Sequence, residues 1–242
     1  DFRHKFKWVF ADDLIVTVWE WENKVEILSG IPVWYETLWI FYDRRYVKSF
    51  DIKTLSWLNN VVSSLQKKKK NIIPIWIWNG STVINAWDIM AQFFMLENWV
   101  TWLKDIEWTK LKQWLSSYFL YWDIDWFNWY DSRFMELSSV WQNATHLFSK
   151  WETSMVVGYP RLINEIDKNG YSKNLLLASY FPHYYSGDWK TLINYNYFVI
   201  NKDSKERWLA NDFLLYLSSS VWAKKYLDNF TYYLPAFLDL ES

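Results

Sequence analysis

Three observations on the 242-residue sequence predict an α/β fold. Short aromatic and β-branched runs alternate along the chain with stretches whose apolar residues recur every three or four positions. Turn chemistry, such as Gly30-Ile31-Pro32 and Pro160, falls between those runs. With 51% hydrophobic and 22% charged residues the chain is globular, and its length suits one large domain or two smaller lobes.

Val25 to Leu28 is a short apolar run; the turn Gly30-Ile31-Pro32 follows, and then the aromatic run Thr37 to Tyr42, so two strands are expected around that turn. Leu55, Leu58, Val61, Val62 and Leu65 recur at helical spacing, with Asp51 or Thr54 available as cap. Lys67 to Lys70 form the solvated C-terminal end of that helix, where cations oppose the negative end of its dipole. Ile72 to Trp78 reads as a strand and Val83 to Leu103 as a helix. Phe134, Leu137, Ala144 and Leu147 mark a helix ending near Lys150, after which Ser154 to Tyr159 is a buried strand stopped by Pro160. Leu192 to Ile200 is a further strand. Leu209, Phe213, Leu214 and Leu217 place an apolar stripe on the helix after Ser204, and another helix runs to about Leu227.

Several chemistries are disfavoured. A net charge of -1 gives no electrostatic basis for holding nucleic acid. The absence of cysteine removes disulfides, thiolate metal sites and cysteine nucleophiles from this chain. His4, His146 and His183 lack zinc spacing, and the oxygen-rich stretch Asp123, Asp125, Asn128, Asp131 fails the calcium-loop pattern, so neither metal nor cofactor is expected. No segment is apolar over the roughly 20 residues of a membrane span, and no signal peptide is visible. A start at Asp1 rather than Met points to a processed protein or a fragment. Serine hydrolysis lacks its Gly-x-Ser-x-Gly elbow, and the 27 acidic residues cannot be paired across a cleft from sequence alone, so an enzyme is disfavoured.

The composition carries one anomaly, 21 Trp against 5 Gly, the inverse of ordinary usage. One explanation is an aromatic cleft for flat ligands. The positions favour another. Trp99, Trp126, Trp129 and Trp189 follow Asn98, Asp125, Asn128 and Asp188, where glycine would complete turn dipeptides. Trp151 stands just past the end of the predicted helix, where glycine commonly adopts the left-handed conformation. These positions suggest UGA codons that the source organism reads as glycine, an alternative genetic code. The 20 Lys against 6 Arg match the AT-rich genomes in which UGA is reassigned.

Four ordered segments resemble the extracellular solute-binding proteins of ABC importers, in the maltose- and oligosaccharide-binding branch. Phe148-Ser149-Lys150-Trp151-Glu152-Thr153-Ser154-Met155 is similar to the family's F-x-x-G-x-t-A-M segment, with Trp151 at its glycine. Gly30 to Arg44 resembles the x-P-x-x-x-E-x-L-x-x-x-Y-N-K crossover, with Asp43-Arg44 in place of Asn-Lys. Asn194 to Lys205, followed by Ala210, Phe213, Leu214 and Leu217, resembles the return strand and its S-K-x-x-x-A-x-x-F-L-x-x-L helix. Tyr232-Tyr233-Leu234-Pro235-Ala236 matches the closing x-x-L-P-A.

The resemblance implies a two-lobed periplasmic-binding-protein type II fold with crossover hinge strands and the N-terminal portion of lobe one absent. Lobe one would comprise 1–36 and 196–234, and lobe two 37–195 and 235–242. It implies a monomeric, extracytoplasmic receptor that closes over a saccharide and delivers it to ABC permease subunits, with any signal segment or lipid anchor outside this chain. A sensory or adhesive ligand-binding domain of the same fold is the second reading, and a carbohydrate-active enzyme the third.

The implied ligand contacts are Glu36, matching a carboxylate that accepts hydrogen bonds from sugar hydroxyls, with Tyr35 beside it. Tyr159 and Arg161 flank Pro160, Arg161 standing where the maltose pattern has an aromatic, which points away from maltose itself. Asn194, Tyr195 and Asn196 lie on the return strand. Asn79 belongs to Trp76-Ile77-Trp78-Asn79-Gly80-Ser81, which recoding would turn into a glycine-rich loop whose amides could face a ligand; it lacks the lysine of a phosphate-binding loop.

Overall fold

In a computed structural model, the described residues are 14–20, 23–48, 52–68, 72–75, 85, 87–89, 91–92, 95, 144–182, 191–228 and 234–235. They belong to two compact units, residues 1–36 with 193–242, and residues 37–192. The chain therefore passes between units at Glu36–Thr37 and at Leu192–Ile193. The expected crossings at 195–196 and 234–235 are placed differently: 193–195 group with the first unit, as does Pro235, which pairs with a strand of that unit.

The first unit begins with an antiparallel hairpin, β1 (Ile15–Glu20) and β2 (Asn23–Leu28), with Val18 opposite Val25. Its other sheet has three strands in the order β7-β3-β8, where β3 is Ile31–Thr37, β7 is Ile193–Phe198 and β8 is Leu234–Pro235. Trp34 pairs with Pro235 and Tyr35 with Leu234, antiparallel. The expected turn at 30–32 is a strand start instead: Ile31 and Pro32 already belong to β3, a position that tolerates proline. Gly30 remains required, because a Cβ there would lie 2.8 Å from the Tyr197 ring and 3.0 Å from the Phe198 carbonyl oxygen.

In the second unit, β4 (Trp39–Asp43) is the middle strand of a sheet ordered β5-β4-β6, antiparallel to both β5 (Met155–Gly158) and β6 (Leu176–Tyr180). Phe41 sits between Val156 and Ala178. Ile40, Phe41 and Tyr42 are all buried, so consecutive residues face cores on both sides of the strand, which explains its unbroken apolar run. Helix α1 (Leu55–Lys68) turns Leu58, Val62 and Leu65 onto one buried stripe. Of the two expected caps, Thr54 serves: its Oγ1 accepts from the Trp57 amide at 3.3 Å. Of the strand expected at 72–78, 72–75 are described and make one parallel bridge, Ile73 to Thr153. Within the helix expected at 83–103, Trp87, Asp88, Ile89, Ala91, Gln92 and Met95 are helical, with Ile89 and Met95 buried.

Helix α2 (Ala144–Ser149) delivers Leu147 and Phe148 to the core and ends at Trp151. The chain then enters β5, and α3 (Leu162–Lys168) follows at once, an element the sequence reading omits, as it omits β1 and β6. Thr145 of α2 donates to the Glu165 carboxylate of α3 at 3.3 Å. The first unit closes with α4 (Arg207–Leu217) and α5 (Ser220–Asp228). The apolar stripe of α4 is buried at Leu217, while Leu209 and Phe213 are more than half exposed.

Candidate functional site

Five of the eight predicted ligand contacts fall in the first unit. Glu36 lies near the end of β3 and is fully buried, and Asn194 is the second residue of the neighbouring strand β7. The Asn194 side-chain amide donates to Glu36 Oε1 at 3.3 Å, joining residues 158 apart in sequence. Strand alternation places Asn196 on the same face of β7 as Asn194, and Tyr195 on the other face. There the Tyr195 ring lies 5.8 Å from that of Tyr197, tilted by 40°. Tyr35 alternates with Glu36 on β3, and Tyr35, Asn194, Tyr195 and Asn196 are all half-buried. Each of the pair lies within two residues of a chain crossing between the units.

The pair offers complementary chemistry. A carboxylate only accepts hydrogen bonds, an amide both donates and accepts, and a hydroxyl-bearing ligand does both. Tyr35 and Tyr195 alternate onto the opposite face of the sheet from the pair.

Tyr159 and Arg161 belong to the second unit. Tyr159 follows β5 and is buried in the hydrophobic core, while Arg161 is exposed with its guanidinium carbon 5.3 Å from the Tyr159 ring centroid. The Tyr159 carbonyl accepts from the Leu162 amide at 2.9 Å, so this tyrosine also shapes the turn into α3. Asn79 and the Asp123–Asp131 stretch lie outside the described residues. Among the described residues no cluster of three His, Asp or Glu could hold a metal ion.

A second polar cluster, absent from the sequence reading, centres on Asp43 at the end of β4. Its buried carboxylate accepts from Arg45 Nη2 at 2.5 Å, from the Arg45 amide at 2.8 Å and from the Tyr171 hydroxyl at 2.7 Å. Tyr171 comes from the loop after α3, 128 residues away, and no spacing rule could have signalled it. Burial by itself would push the Asp43 carboxyl up, but the hydrogen bonds from Arg45 and Tyr171 and the guanidinium charge outweigh it, and the carboxyl ends below its ordinary value. Burial and the Asp43 carboxylate push the Tyr171 hydroxyl up.

These shifts fix a pH profile. The Asp43 contribution to stability is complete above the unfolded aspartate value of about 3.9 and is lost as the pH falls below it through the lower folded value. The Tyr171 contribution is complete below the unfolded tyrosine value of about 10 and is lost as the pH rises above it. Urea midpoints measured across pH are expected to fall at both extremes, and the acid limb is expected to flatten in D43N. An unchanged acid limb in D43N would contradict the assignment.

No family model and no curated protein matches the sequence, whereas solved structures match nearly all of the chain. The GacH receptor of Streptomyces glaucescens, solved unliganded and with acarbose, superposes with a TM-score of 0.63 at 13% identity, over 99% of this chain and 58% of that one. A cyclo/maltodextrin-binding protein complexed with maltotetraose gives 0.65 at 14% identity, over 98% of this chain and 58% of that one. The extracellular solute-binding protein of Staphylococcus aureus in complex with maltose gives 0.56 at 16% identity, over 99% and 60%. The chain thus has the two-lobed periplasmic-binding-protein fold and spans about three fifths of the length of these neighbours.

Proposed function

We propose that this chain is the larger part of an extracytoplasmic receptor that captures a sugar or oligosaccharide and delivers it to the permease of an ABC importer, binding its ligand without turning it over. The observation that carries the reading is the Glu36–Asn194 pair beside the chain crossings of a fold whose solved neighbours include complexes with acarbose, maltotetraose and maltose. Carboxylate and amide supply the acceptor and donor that vicinal hydroxyls need. The family resemblance puts Arg161 where the maltose pattern has an aromatic, which favours a saccharide other than maltose itself. In this reading the receptor is monomeric and reaches the membrane only through a lipid anchor outside these 242 residues.

Glu36 precedes Thr37 at one crossing and Asn194 follows Ile193 at the other, so a ligand held by this pair sits beside the two segments that lead out of the first unit. Such a ligand shifts the conformational population by its differential affinity for the two states, which is how capture would be signalled to a permease.

Replacing Glu36 by alanine removes a charged acceptor, and hydrogen bonds to charged groups contribute about 1.5–3 kcal/mol. Calorimetric titration of the natural-length protein with maltotetraose and with uronic-acid oligosaccharides is expected to show affinity falling about 10- to 100-fold in E36A. Equal affinity in wild type and E36A would remove Glu36 from the site, and product formation during titration would make the protein an enzyme. Ligand binding by a protein whose genome encodes no permease beside it would favour a sensory or adhesive domain.

A further inference from the structure

We infer that the polypeptide made by the cell carries glycine at position 151, from a UGA codon read as glycine. The first ground is a pair of helix ends that close identically. At the end of α2 the Trp151 amide donates to the Phe148 carbonyl at 3.0 Å and the Glu152 amide to the Leu147 carbonyl at 2.9 Å. At the end of α3 the Gly170 amide donates to Asp167 at 2.9 Å and the Tyr171 amide to Ile166 at 3.3 Å. Both are Schellman closures, which need a left-handed residue one position past the cap. That residue is Gly170, at φ 79°, in one and Trp151, at φ 65°, in the other. Among the described residues these two alone have positive φ.

A Cβ at position 170 would meet nothing within 4 Å, so glycine serves that closure through its backbone freedom and not through lack of space. The same closure at 151 makes the same demand, and an L side chain meets it only with strain. The indole's contact with Arg45, whose guanidinium carbon lies 4.4 Å from the ring centroid, is a weak return at a half-exposed site.

The second ground is where tryptophan sits. The core holds Phe41, Tyr42, Phe148, Tyr159, Tyr171 and Phe181, yet no described tryptophan is buried. Trp19, Trp57, Trp87, Trp151 and Trp208 are 47 to 72% exposed. Tryptophan is on average highly buried, so the lack of a buried indole among the described residues, beside buried phenylalanine and tyrosine, indicates positions selected for another residue.

The test is independent of any ligand, so its failure would leave the sugar reading standing. Trypsin cuts after Lys150 and Arg161, and the 151–161 peptide from native cells is expected to be lighter than the written sequence by the difference between tryptophan and glycine, with UGA at that codon in the DNA. A tryptophan-containing peptide or a UGG codon overturns the inference. In recombinant protein W151G is expected to raise Tm by about 2–8 °C, with W151A gaining clearly less because alanine keeps the left-handed strain. Equal gains in W151A and W151G would place the effect in the ring and overturn the backbone argument.

Discussion

Truncating Phe148 to alanine is expected to destabilise the second unit by about 3–5 kcal/mol, the range for deleting a fully buried aromatic side chain. Phe148 is 0% exposed, and its ring stacks on Tyr171 with centroids 4.7 Å apart and planes inclined by 28°. Its carbonyl also takes part in the closure of α2, so the side chain fixes the helix end from which β5 departs. The cavity would open beside strands β4 and β5, where neighbouring side chains are close-packed and can relax only partly. Urea unfolding monitored by tyrosine and tryptophan emission should show a lower midpoint with little change in slope. A loss below about 1 kcal/mol would show that the site collapses freely and that the packing described is wrong.

Replacing Asp43 by alanine is expected to cost about 3 kcal/mol, because it leaves a guanidinium and a buried hydroxyl without their acceptor. Asp43 is 2% exposed and ties the end of β4 to the loop that carries Tyr171. Arg45 is one-third exposed and can turn to water, whereas Tyr171 is buried and cannot, so most of the cost falls on the tyrosine. A double-mutant cycle of D43N with Y171F measures that share directly, with an expected coupling near 1 kcal/mol. Additive effects in the cycle would mean that the 2.7 Å hydrogen bond between them contributes nothing.

Much of this architecture is legible from local chemistry. The unbroken run of β4 announces a strand covered on both faces, and the spacing of Leu58, Val62 and Leu65 announces the buried stripe of α1. Position 151 is readable as a left-handed helix end, because Lys150 closes a helical period and an apolar run begins soon after. Other elements give weaker signals. Helix α3 has only seven residues, too short for a period to declare itself, and Pro160 just before it reads as a strand stop. Strand β6 is largely exposed and shows no clean alternation, and β1 faces mostly solvent. The α4 stripe is amphipathic in sequence, yet periodicity says only that a face is apolar and not that these 242 residues cover it.

The candidate site divides in the same way. The family resemblance alone points to Glu36 and Asn194, since nothing local joins residues 158 apart; β7 beside β3 makes them neighbours. The resemblance points to Tyr159 as a ligand contact, and the fold buries it in a core, with the Arg161 guanidinium 5.3 Å from its ring. The Asp43–Tyr171 contact had no signal because each residue is unremarkable in its own segment, and only the turn after α3 brings the hydroxyl to the strand end.

The central claim is that this fold serves to hold a saccharide, and the most direct measurement is a thermal-shift panel on the natural-length, correctly decoded protein. A ligand at about 100 times its Kd stabilises the native state by about 2.7 kcal/mol, a rise in Tm of about 5–11 °C at this chain size. The account predicts such a rise with at least one oligosaccharide or acidic sugar, reduced to about 1–6 °C in E36A at the same ligand concentration and unaccompanied by product. No shift across neutral and acidic saccharides, with a shift for polyamines or peptides instead, would contradict it.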